Sequence, residues 1–323
     1  MLAVVCPGQG SQSPGFLRPW LELPGVAERL DELSAASGTD LVRHGTESDA
    51  DTIRDTAVAQ PLIVAASLVA LRALLDGREA TEVVDVTAGH SVGEIAAAAV
   101  AGVLTDGGAV GLVSHRARSM AAAAALEPTG MSAVVGGDPE AVLAAIEAAG
   151  LHPANVNGSG QVVAAGALDA LTRLAAEPPA RARVIPLQVA GAFHTPYMRP
   201  ALEEFAPRAE AWSAQDPALP LLSDADGEPY PAHDGAPFGR GRDVLRRIAE
   251  QVVAPVRWDL CQATLQRLGV TGLVELAPAG VLVGLARRAL PGVETVALSS
   301  PADLDAARDL ARRHSTRTEE ATA

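Results

Sequence analysis

Val83-Val84-Asp85-Val86-Thr87-Ala88-Gly89-His90-Ser91-Val92-Gly93-Glu94-Ile95-Ala96-Ala97-Ala98-Ala99-Val100 passes from a β-branched run, through a serine flanked by glycines, into an alanine-rich apolar run. The first part, Val83–Ala88, reads as a buried strand, and Ile95–Val100 reads as a helix. Strand, tight turn and helix around a serine is the order of a nucleophile elbow. There the strained turn points the hydroxyl outward, and the amide after the serine faces an oxyanion site at the helix N-terminus. The bare pattern Gly-X-Ser-X-Gly also describes a structural glycine-rich turn, and the elements on either side favour the elbow.

Working outward, Leu2–Cys6 is a short apolar run that stops at Pro7-Gly8-Gln9-Gly10, a second strand followed by a turn. Pro61 is expected to open an apolar helix that runs to Leu75 and closes at Gly77. From Met131 the pattern changes. A strand at 131–136, a helix at 139–149, a strand pair broken at Asn157-Gly158-Ser159-Gly160, a helix at 168–176 and a strand at 183–189 follow in turn. That βαββαβ order predicts an inserted ferredoxin-like sub-domain. Main-domain elements resume from Ala201, with a Pro/Gly/Asp-rich loop at 223–242, and the polar stretch from His314 is expected to fray.

All 25 cations are arginine, against 39 acidic residues, for a net charge of −14. With no lysine, a Schiff-base enzyme, a pyridoxal-phosphate enzyme and a P-loop nucleotide site are excluded. The acidic balance argues against nucleic acid as a partner. Cys6 and Cys261 lie in apolar contexts and offer no disulfide framework or metal cluster. The start lacks a charged segment and cleavage site, and no apolar stretch is expected to approach the roughly 18 residues of a membrane span. The expectation is a cytoplasmic protein without membrane contact or cofactor.

A serine nucleophile needs a base. His90 adjoins Ser91 and points away, while His44, His152, His233 and His314 sit in polar contexts and His115 lies in a helix. His194 follows a strand in the loop Gly191-Ala192-Phe193-His194-Thr195-Pro196, where a side chain can reach a cleft. On position alone a structural histidine remains open.

Several segments then converge on a family. Pro7-Gly8-Gln9-Gly10-Ser11-Gln12, the elbow with Glu94, Arg116 followed by Met120, Asn155-Val156-Asn157 with Gly160-Gln161-Val162-Val163, Ala192-Phe193-His194, and Gln251 with Pro255-Val256 and Trp258 stand in order from residue 4 to about 300. Together they resemble the malonyl-CoA:acyl carrier protein transacylases. The resemblance implies an α/β-hydrolase-like core with a mainly parallel sheet, over 1–128 and 192–313. The ferredoxin-like sub-domain would then cover 129–191 and a flexible tail 314–323.

The same resemblance implies malonyl transfer from coenzyme A to the phosphopantetheine thiol of an acyl carrier protein through a serine ester. Ser91 would be nucleophile and His194 base, oriented by the backbone carbonyl of Gln251 without a buried aspartate. The amides of Gln9 and Val92 would hold the oxyanion, and Arg116 would pair with the malonyl carboxylate. Phe193, Gln60 and Asn155 would line the substrate site, and Phe193 and Val92 fit malonyl-selective members. From the residues alone, Gln251 also reads as a helix-surface amide, Arg116 beside Arg118 as a solvated face, and Gln60-Pro61 as a helix cap. Ala117 departs from the family's usual glycine and would add a methyl near the carboxylate. Rival readings are a serine esterase or thioesterase, which would share the elbow, and a non-catalytic docking subunit. Because carrier proteins are acidic, docking needs a local positive patch. Arg181 and Arg183, before the strand that delivers His194, are the first candidates, with the Arg240–Arg247 group second and no need for more than a monomer.

Overall fold

The computed structural model describes residues 1–317. The chain builds two four-stranded sheets. One is parallel, with strands β1 (Leu2–Cys6), β2 (Val86–Gly89), β7 (Gly272–Glu275) and β8 (Glu294–Ala297) in the order β2-β1-β7-β8. The other consists of β3 (Thr129–Gly136), β4 (His152–Gly158), β5 (Gln161–Ala167) and β6 (Ala182–Pro186) in the order β4-β5-β3-β6, every neighbour antiparallel.

The run Leu2–Cys6 is fully buried because helices cover both faces of the parallel sheet. Its side chains alternate between two cores: Leu2, Val4 and Cys6 pack in one, Ala3 and Val5 in the other. β2 is shorter than the run Val83–Ala88 predicts. Val83 and Val84 end a 3-10 turn, and the Asp85 carboxylate turns to accept the Leu2 amide at 2.7 Å, so pairing starts at Val86. The antiparallel unit packs one face on the helices Pro139–Ala148 and Leu168–Ala176 through Val134, Val162 and Ala164. Its other face carries Met131, Ala133, Asn155 and Val163 into a cleft against the parallel sheet's domain. Main-chain bonds join the two parts: Val156 N–H donates to the Val256 carbonyl at 2.8 Å and Val256 N–H to that of Ala154 at 2.9 Å.

Three expectations are corrected. Pro61 lies inside a helix that spans Thr56–Leu75, because the Asp55 carboxylate caps it by accepting the Ala57 amide at 2.7 Å. That helix is also long and apolar enough to cross a membrane, with a mean hydropathy of 1.9, contrary to the expectation that no stretch comes near. It is a core helix, 83% of its apolar window being buried. The tail does not fray at His314. His314 closes the last helix and its Nδ1 bonds Thr271 at 2.9 Å, while Thr316 N–H donates to Asp85 at 3.1 Å. The rest of the expected tail, 318–323, lies outside the described residues.

Candidate active site

The elbow forms where β2 turns into the helix Gly93–Val100. Both glycines are required by close approach: a Cβ on Gly89 would stand 2.0 Å from Gly93, and one on Gly93 would stand 2.2 Å from the Cys6 carbonyl. Ser91 itself sits at φ +54°, in the left-handed region that a non-glycine residue adopts only when its surroundings hold it there. Those surroundings include the Asp224 carboxyl, which accepts the Ser91 amide at 2.6 Å.

Ser91 Oγ and His194 Nε2 are 2.7 Å apart. His194 Nδ1 lies 2.9 Å from the Gln251 carbonyl, an acceptor only, so Nδ1 carries the proton and Nε2 is free to accept the serine's. The imidazole is buried, at 4% exposure, which with the nearby Arg116 cation pushes its pKa down to about 3. It is therefore a neutral base at ordinary pH. His90 turns away from Ser91, with its Nε2 2.9 Å from Asn157 Oδ1.

Arg116 is 1% exposed, which excludes the solvated-face reading. Its Nη1 donates to Gln60 Oε1 and its Nη2 to Gln251 Oε1, each at 2.8 Å, and Nη2 comes within 3.5 Å of Ser91 Oγ. Among the described residues its Nε has no partner. Burial lowers its pKa to about 10, held from falling further by Glu94 and Asp224, so it remains a cation at neutral pH. Gln251 is likewise no surface amide. It is 3% exposed, and its Nε2 reaches the Ser91 carbonyl, Glu94 and Asp224.

A cleft of about 220 Å³ opens over this cluster, lined by Ser91, His194, Gln9, Val92, Phe193, Gln60 and Asn155. Arg116 and Gln251 stand behind that lining and reach the cleft past Gln60 and Ser91. Ala117 is fully buried and is not among the residues that line the cleft. Arg181 and Arg183 also lie outside the lining, at the start of the edge strand β6.

Two buried carboxyls escaped the sequence reading. Glu94 appeared there only as a motif letter, and Asp224 fell within a stretch read as an open loop. Burial raises the Glu94 pKa to about 7, and burial beside Glu94 pushes Asp224 well above the carboxylate range. The one available signal was Glu94 itself, an acid opening a helix that is otherwise apolar. Asp224 bonds the Ser91 amide and not the histidine, whose Nδ1 faces the Gln251 carbonyl as expected.

Comparison with known proteins bears on this arrangement. The acyl transferase domain family matches residues 3–286. A curated malonyl CoA-acyl carrier protein transacylase of Mycobacterium tuberculosis is 50% identical over 310 residues, covering 94% of this chain and 98% of its own. The chain belongs to the malonyl-CoA–acyl carrier protein transacylase family. It is an acyltransferase. The crystal structure of the Mycobacterium tuberculosis transacylase superposes with a TM-score of 0.87, covering 95% of this chain and 99% of that one. A type II polyketide synthase malonyl-transacylase, solved in complex with its acyl-carrier protein, is 28% identical and superposes at 0.85 over 95% of this chain and 99% of its own. The transacylases share its α/β architecture of one parallel and one antiparallel sheet.

Proposed function

We propose that this transacylase moves a malonyl group from malonyl-CoA to the phosphopantetheine thiol of an acyl carrier protein, through an ester on Ser91. The observation that carries the reading is the meeting of three groups: Ser91 Oγ lies 2.7 Å from a neutral imidazole and 3.5 Å from a buried guanidinium. A malonyl thioester has its carboxylate one methylene from the reacting carbonyl, so a cation beside the nucleophile fits that acyl group.

Ser91 Oγ attacks the thioester carbonyl and its proton passes to His194 Nε2. The carbon–sulfur bond breaks, and the departing coenzyme A thiolate takes the proton back. The carrier thiol then gives its proton to His194 and attacks the ester, and Ser91 leaves protonated. The amides of Val92 and Gln9 are assigned to the oxyanion. Thioester is exchanged for thioester, so the site needs to exclude water more than to drive the reaction. We read the parallel-sheet part, 1–128 and 192–313, as an α/β-hydrolase-like core and 129–191 as a ferredoxin-like sub-domain.

Intact-mass analysis after mixing with malonyl-CoA tests the reading. A stable malonyl adduct on Ser91 that is discharged by an acyl carrier protein is the expected result. Rapid hydrolysis would indicate a thioesterase, and no adduct a docking subunit. The low pKa of His194 adds a second expectation. An ordinary imidazole, with a pKa of about 6.5, loses about 25-fold in its neutral fraction between pH 7 and pH 5. With its pKa near 3, His194 stays unprotonated throughout that window, so Ser91 acylation by an uncharged ester should fall less than about 3-fold. A stopped-flow burst measured at both pH values decides, a 25-fold fall being the contrary result.

For carrier docking we retain Arg181 and Arg183. Both are exposed and have no ion pair among the described residues, whereas in the rival group Arg246 and Arg247 are paired with Glu250 and Asp226 and only Arg240 and Arg242 are without one. Arg183 also pairs across the sheet with Val135, in line with the alternation that turns Ala133 to the cleft. Two exposed pairs worth about 0.5 kcal/mol each predict about a 5-fold rise in KM for the carrier protein when both arginines become alanine. Malonyl-CoA acylation should be spared, and added salt should reproduce the effect in the unmutated enzyme. An unchanged KM and salt response would remove this surface.

A further inference from the structure

The segment that carries Asp224 is not an open loop where it meets the parallel sheet. Thr87 N–H donates to the Pro220 carbonyl at 2.9 Å and Leu222 N–H to that of Thr87 at 3.0 Å, so the chain runs beside β2 and delivers Asp224 under the elbow. There the carboxyl is fully buried. One oxygen, Oδ2, accepts both the Ser91 amide at 2.6 Å and the Gln251 side-chain amide at 3.0 Å. The Asp224 amide in turn donates to Glu94 Oε1 at 2.7 Å, and its carbonyl accepts Arg257 N–H at 2.8 Å, so the residue is fixed on both sides.

We propose that Asp224 is a positioning residue for the transfer reaction, its single oxygen Oδ2 holding the backbone of the nucleophile Ser91 and the side chain of Gln251, whose carbonyl holds His194. The inference rests on Ser91 and His194 being the reacting pair. Without this acceptor the Ser91 amide, in a left-handed conformation under a helix N-terminus, loses the contact that resists relaxation, and the separation of Oγ from Nε2 is no longer set from both ends. Burial beside Glu94 pushes the Asp224 pKa well above the ordinary carboxylate range. Oδ2 only accepts in these two bonds, so an amide oxygen can take its place. The other oxygen, Oδ1, accepts from the Cys261 thiol at 3.9 Å.

Single-turnover acylation of Ser91 by malonyl-CoA, and by p-nitrophenyl acetate as an uncharged ester, tests the role. Asp224→Ala should lower the maximal rate about 30-fold for both reagents, less than the 10²-fold that a misplacement of about 1 Å can cost. KM for malonyl-CoA should move less than about 3-fold, and Asp224→Asn should recover the rate to within about 3-fold of the unmutated enzyme. A full rate in Asp224→Ala, a loss confined to KM, or an asparagine variant as slow as the alanine variant would each overturn the inference. If Asp224→Ala lacks the native near-ultraviolet spectrum, hydrogen exchange of the Ser91 amide in the unmutated enzyme and in Asp224→Asn decides. Protection in both supports the bond, and exchange at the rate of a free amide in either overturns it. Failure of the unmutated enzyme to form any Ser91 adduct would defeat the proposed function itself. A full-rate adduct in Asp224→Ala would defeat only the role of Asp224.

Discussion

Ser91→Ala should remove the malonyl-enzyme altogether and lower transfer to the carrier protein on the order of 10⁴-fold. The size of the effect follows from the geometry. His194 Nε2 faces one hydroxyl, at 2.7 Å, and the cleft-lining residues include no second serine or threonine. What survives the substitution is substrate binding and the amides proposed for the oxyanion, which can still orient a thioester but give no acyl-enzyme to hand over. His194→Ala should cost nearly as much. The double variant should be hardly worse than either single one, because nucleophile and base act as a unit. Intact-mass spectrometry and single-turnover transfer measure both quantities. An adduct that forms in Ser91→Ala at an undiminished rate would place the chemistry on another residue.

Arg116→Ala should lower kcat/KM for malonyl-CoA about 100-fold and change that for acetyl-CoA less than about 3-fold. A charge-assisted hydrogen bond contributes about 1.5–3 kcal/mol, and about 2.7 kcal/mol corresponds to the 100-fold loss. The structure limits the effect from the other side. Gln60 and Gln251 already satisfy part of the guanidinium, so a neutral acyl group does not leave a wholly unpartnered cation, and acetyl transfer has little to gain from its removal. The variant should still fold. Loss of Arg116 removes an attraction that lowers the Glu94 pKa, and a carboxyl already near 7 then stays protonated at neutral pH, without an uncompensated charge. Relative kcat/KM for the two thioesters is the measurement, and unchanged selectivity would detach Arg116 from substrate choice.

The elbow is legible because it rests on local chemistry, glycines where backbones touch, and the ordered motifs point to the histidine and the arginine that the structure brings to Ser91. What sequence could not supply is the layer beneath. Asp224 and Asp226 are both acids in one polar stretch, and nothing nearby says that the first is fully buried while the second is paired with Arg247. The resemblance gives Gln251 one role, through its carbonyl, and its side chain does more, since it joins Arg116 to Glu94 and Asp224. Both depend on contacts more than a hundred residues apart in the chain, such as the Ser91–Asp224 and Ser91–Gln251 bonds. Helix ends failed for a nearer reason. Pro61 carries a strong start signal, but the Asp55 cap acts earlier in the chain and wins.

The main-chain ties between β4 and Val256, with the Gln262 amide on the Asn157 carbonyl at 2.9 Å, give the cleft a fixed gauge. Its walls cannot part like jaws without breaking buried hydrogen bonds. The cleft between them holds about 220 Å³. On the proposed reading coenzyme A must back out before the carrier's arm can enter, and the acyl group waits on Ser91 in the interval. The order of the two half-reactions is then a matter of plumbing, imposed by how the antiparallel sheet is bolted to the rest of the molecule.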